Sequence, residues 1–206
     1  MNKINQKQQQ LLANLAAIFF ISGFSALVYQ VSWQRLLFTG FGVDLTSITL
    51  IISVFMMGLG IGAFFGGRIA DRFSQKIILI FCLVELFIGI FGLVSYYLIL
   101  GLQSVLIQAS LLVLSTFTFL LLLPTFLMGL TLPLLTGYFN QFIDNIGQSI
   151  GTLYFYNTLG AALGALATGF ILFNYFTLSQ TIQLAAVFNI AIAGLIFMLY
   201  GRNYAL

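Results

Sequence analysis

Long apolar runs alternate with short polar breaks along the whole chain. The runs predict six transmembrane helices, over roughly 11–31, 46–66, 77–100, 105–135, 151–173 and 181–200. About 20 apolar residues in a helix cross a hydrocarbon core roughly 30 Å thick, and each run reaches that length. The breaks differ in character. Residues 33–44 read as a polar, amphipathic connection, 68–76 as a charged turn and 136–148 as a polar loop. The fourth run is longer than one upright helix needs, and Pro124 and Pro133 punctuate it. It reads as a tilted, kinked helix, or as a helix plus a half-buried segment that would raise the count to seven.

Small residues recur at helical spacing in the second and fifth runs: Gly58, Gly62 and Gly66, then Gly160, Gly164 and Thr168. Such stripes let backbones approach closely in lipid, where dispersion and hydrogen bonding drive association. The two runs hold corresponding places in a three-plus-three arrangement. An odd number of spans per repeat makes the halves inverted, as in many transporters. Ordinary tight packing of single helix pairs is the plainer reading of either stripe.

Composition strengthens the membrane reading. Of 206 residues 61% are hydrophobic and 5% charged, against roughly 25% charged in an ordinary soluble domain. Residues 1–206 therefore read as a single transmembrane domain with no soluble domain, and the lipid bilayer as its first partner. The net charge of +3 fits topology rather than nucleic acid. With the N-terminus in the cytoplasm, Lys3, Lys7, Arg68, Arg72, Lys76 and Arg202 fall inside and Arg35 outside, a positive-inside bias. That predicts a multi-pass inner-membrane protein with both termini cytoplasmic. The first run is too long for a signal-peptide core and reads as a retained helix. Without histidine, and with Cys82 as the one cysteine, a disulfide framework and a Cys/His metal site are excluded. No cofactor is expected.

Gly67, Asp71, Arg72 and Lys76 stand in the charged turn at a distinctive spacing. They resemble the loop between helices two and three of the major facilitator superfamily, which reads glycine, three residues, Asp-Arg, one residue, then glycine and two basic residues. Ser74 and Gln75 depart from that pattern. The resemblance implies a cytoplasmic gating loop in which Asp71 accepts hydrogen bonds at a helix end and pairs with an arginine. A second resemblance spans nearly the whole chain. The segment from Ser22 to Gln30 followed by Trp33-Gln34-Arg35, Pro124 to Pro133, and Leu153 to Ala161 are similar to membrane proteins fused to spermidine synthase-like domains. That family usually has glutamate where Gln30 stands. Together the two imply an all-α integral membrane fold, a six-helix bundle equal to half of a major facilitator-like fold, built as a 3+3 inverted repeat.

One acid lies inside a run: Glu85, in Cys82-Leu83-Val84-Glu85-Leu86-Phe87. A carboxyl at membrane depth is costly and marks a functional site by default. All seven basic residues lie near membrane edges, so Glu85 is either protonated or neutralised by a cation that comes and goes. At about 1.5 Å per residue it sits on the order of 12 Å from the cytoplasmic end of its helix. A structural, hydrogen-bonded, neutral acid is the competing reading. The expected site joins Glu85 with Tyr154, Tyr156, Asn157 and Tyr29, whose rings would shelter an ammonium. Three functions compete. The first is a half-sized transport protein for a polyamine-like small cation, dimerising to reach about a dozen helices. The second is a non-transporting subunit that anchors or regulates a separately encoded spermidine synthase-like enzyme. An intramembrane enzyme ranks last, with no histidine, paired acids or nucleophile–base pair in view.

Overall fold

The computed structural model of the chain describes residues 6–41, 45–106 and 110–200; the cations at 3 and 202 lie outside them. The described residues are helical almost throughout: α1 (Gln6–Phe41), α2 (Leu45–Arg72), α3 (Ile77–Leu106), α4 (Ser110–Phe139), α5 (Ile146–Tyr175) and α6 (Leu178–Tyr200). All six are long and apolar enough to cross a membrane, the architecture of a multi-pass membrane protein.

Two of the expected breaks move. α1 continues through most of 33–44, because its inward positions there are apolar: Trp33, Leu36 and Leu37 are buried while Arg35 stays outside. The fourth run does not divide. Residues 105 and 106 close α3, and Pro124 and Pro133 both sit inside one continuous α4. Each proline removes one N–H from the ladder. Nearby hydroxyls fold back onto the same helix without filling those gaps, Thr125 donating to Leu121 O at 2.8 Å and Thr131 to Met128 O at 2.6 Å. α5 starts at Asn145, whose side chain accepts from Gln148 N at 3.1 Å. It carries a π-helical stretch at Thr168–Leu172. Thr177 and Gln180 bond reciprocally before α6, at 3.3 and 2.9 Å, a capping box that starts the last span.

The helices pair as α1 with α5, α2 with α4 and α3 with α6, while α1–α6 and α3–α4 join these pairs. Connections meet at the ends: Gln141 Nε2 donates to Ser74 O at 2.9 Å, and the Tyr200 hydroxyl to Leu11 O at 3.5 Å. At the opposite end Arg35 lies 4.7 Å from the centre of the Phe173 ring.

Glycine decides how closely two of the pairs approach. In α2, Gly62 abuts the carbonyl of Phe126 and Gly66 that of Leu130, and Gly129 of α4 abuts the carbonyl of Leu59. In α5, Gly160 abuts the carbonyl of Phe20 and Gly164 that of Phe24, and Gly23 of α1 abuts the carbonyl of Asn157. The two sets correspond one for one. Phe20, Gly23 and Phe24 take the places of Phe126, Gly129 and Leu130, and Asn157, Gly160 and Gly164 those of Leu59, Gly62 and Gly66. A side chain at any of these glycines would hold the backbones apart.

Candidate functional site

α3 carries Glu85 into the centre of the bundle, where the residue is 0% exposed. Ser22 Oγ of α1 donates to Glu85 Oε1 at 2.6 Å, and Asn189 Nδ2 of α6 donates to Glu85 Oε2 at 2.6 Å. Both carboxyl oxygens thus have a partner, which a buried acid requires. The carbonyl of Asn189 is buried and has no hydrogen-bond partner among the described residues. Around this pair α3 and α6 fit closely: Cys82 Sγ donates to Ala193 O at 3.2 Å, and Gly89 lies against Ala186 and Ile190.

Ser22 and Asn189 also line a cavity of about 340 Å³ between the α1–α5 and α2–α4 pairs. Of the residues expected at the site, Asn157 and Tyr154 line it too, with Tyr154 60% exposed. Glu85 stands behind Ser22 and Asn189 rather than on the wall. Two expectations change. Tyr29 is fully buried off the cavity wall, its ring stacked on Trp33 at 4.9 Å and its hydroxyl against Gly92 of α3, yet near enough to Glu85 to feel its charge. Tyr156 turns its ring toward Phe155, with centroids 5.5 Å apart, and is no part of the cavity wall. The small-residue face of α2 packs on α4.

In the charged turn, Gly67 and Asp71 line a separate pocket of about 300 Å³ with Pro133 and Thr136. Arg72 lies 5.6 Å from the Phe73 ring, and Lys76 N closes the turn on Phe73 O at 2.8 Å. Among the described residues no cluster of His, Cys, Asp or Glu could hold a metal ion.

The composition-led reading missed Ser22 and Asn189. The signal was present, since an amide deep in an apolar span carries a cost similar in kind to that of the acid. What the site offers chemically is a set of oxygens close to a carboxyl, from Asn189, Ser22 and Asn157 together with the hydroxyls of Tyr154, Thr158 and Thr131, among apolar groups. Such a set suits a donor rich in N–H.

No family model and no solved structure matches the chain. The chain is 23% identical over 197 residues to the polyamine aminopropyltransferase of Oceanobacillus iheyensis, across 96% of this chain and 37% of that protein. It spans little more than a third of that relative's length.

Proposed function

We propose that this chain is a transport-type membrane protein that moves a small organic cation, with Glu85 as the residue that answers to its charge. The observation that carries the reading is the placement of Glu85. It is fully buried at mid-span, and its two hydrogen-bond donors, Ser22 and Asn189, are themselves cavity-wall residues. A purely structural acid has no need of partners shared with a cavity. The relative's name concerns polyamines, so aliphatic amines are the first compounds to try. The protein is not an enzyme in this reading.

The matched glycine contacts support a 3+3 inverted repeat of the major facilitator kind, in which α1–α3 and α4–α6 are equivalent. Substrate sites in such folds lie near mid-membrane where the repeats meet, and a cavity between the α1–α5 and α2–α4 pairs fits that reading. The proposal places the chain in the inner membrane with both ends cytoplasmic, and Gly67, Asp71, Arg72 and Lys76 in a cytoplasmic gating turn. A second copy of the chain is the proposed partner.

A second reading has its own support. The similarity to part of an aminopropyltransferase fits a membrane subunit that anchors or regulates a spermidine synthase-like enzyme. Flux of labelled amine into proteoliposomes separates the two. Uptake by wild type that Glu85→Gln abolishes supports transport; no uptake by either, with the protein folded, favours the subunit.

A further inference from the structure

The cavity is lined by corresponding positions of the two helix pairs, yet its two walls differ in chemistry. Gly23 and Gly129 correspond, as do Ala63 and Ala161, and all four line it. Where α1 has Ser22, α4 has Met128; where α5 has Asn157, α2 has Leu59. Tyr154 and Thr158 extend the α1–α5 wall, and Leu132 extends the other. The α4 side has one hydroxyl, Thr131, which donates its proton to Met128 O at 2.6 Å and leaves its oxygen as the single side-chain acceptor of that wall. The unpartnered Asn189 carbonyl, 2% exposed as a residue, sits beside Ser22 through their shared contact with Glu85. Most of the acceptors are therefore gathered at one side, against a wall that is apolar apart from the Thr131 oxygen.

We infer that the guest of this cavity is a monoamine, with one ammonium head on the Ser22–Asn189–Asn157 side and a short apolar body against Met128, Leu59 and Leu132. The inference rests on the cation-binding reading and narrows it. A linear diamine would bring its second ammonium against Met128 and Leu59, where no carbonyl or carboxyl answers it, and burying an unpaired charge is strongly unfavourable. A methyl group in the same place loses nothing. The corresponding positions explain the asymmetry: a duplicated frame supplies the space, and substitutions on one wall alone supply the head-group contacts.

Pentylamine and putrescine test this directly, because they are the same length and differ by a methyl against an ammonium. Their binding to the purified full chain in lipid nanodiscs is measured by calorimetry, with Glu85→Gln as the control for partition into lipid. The expected result is saturable pentylamine binding, lost in Glu85→Gln, and putrescine about tenfold weaker or more. Leu59→Asn, which places an amide at the position corresponding to Asn157, is expected to narrow or reverse that ratio. Putrescine binding as tightly as pentylamine in wild type overturns the monoamine inference and leaves the cation reading standing. If neither amine binds folded wild type, both readings fall.

Discussion

Asn189 and Glu85 meet across the α3–α6 contact with the amide donating to the carboxyl at 2.6 Å. Their neighbours are arranged evenly about them. Cys82 meets Ala193 on one side and Gly89 meets Ala186 on the other, so exchanging the two helices carries one contact onto the other. The pair lies at the centre of that exchange. One half contributes an acid to it and the other an amide, so a single carboxyl serves both.

Glu85→Gln is expected to leave the helices folded and to remove amine binding. The amide retains an oxygen that accepts from Ser22 or Asn189, so circular dichroism and gel filtration should match wild type. Amine-induced thermal stabilisation should vanish. Unchanged stabilisation by amines would show that the charge is recognised elsewhere.

Amine binding is expected to weaken as pH falls. An empty site with no fixed cation at its depth is neutral when Glu85 carries its proton, and an arriving ammonium takes that proton's place. The groups bonded to the carboxyl are Ser22 of α1 and Asn189 of α6, neither of which titrates; the buried phenol of Tyr29 of α1 lies close enough to feel its charge, and Cys82 one turn away donates to Ala193. Each ammonium bound should release up to one proton, and affinity should drop as much as about tenfold per pH unit where exchange is complete. Calorimetry in buffers of different ionisation enthalpy counts the protons.

Gly62→Ala and Gly160→Ala are each expected to destabilise by about 1–3 kcal/mol, since an added methyl meets the apposed backbone and cannot be accommodated by a side-chain shift. Gly62 abuts the Phe126 carbonyl and Gly160 that of Phe20, whereas a methyl at Gly60 meets nothing within 4 Å. Gly60→Ala should therefore be neutral or stabilising by up to about 1 kcal/mol. Thermal unfolding in detergent compares the three.

A cysteine placed at Ser74 is expected to react with a membrane-impermeant maleimide only after cells are opened. The position is exposed in the α2–α3 turn, beside Gln141. Labelling in intact cells would invert the proposed orientation.

The spans were legible because run length alone separates a crossing helix from a core helix, and Glu85 because a lone acid in such a run has few cheap explanations. What periodicity could not give was the partner of each face. Gly62 and Gly160 announced close approach but not to which helix. The aromatic residues near Glu85 were weighted by type when direction decided. Tyr154, Asn157, Thr158 and Ala161 fall at helical spacing on one face and line the cavity, while Tyr156, one residue before Asn157, points about 100° away. Tyr29 carries the same lesson, since its ring is claimed by Trp33. The end of α1 was missed because Gln34 and Arg35 make the sequence look polar, although every third or fourth residue there is buried.

The carboxyl and its amide donor are 104 residues apart in the chain. At roughly 5–20 residues per second, Asn189 leaves the ribosome on the order of 5–20 s after Glu85. During that interval α3 is synthesised ahead of its main partner, and Ser22, made earlier, is the one bonding partner already available to the acid. α6 is then the component that completes the acid's hydrogen bonds. The acid gains its second hydrogen bond only when α6 joins the bundle, and a nascent chain stalled before α6 carries an acid in the membrane with half of its bonds unmade.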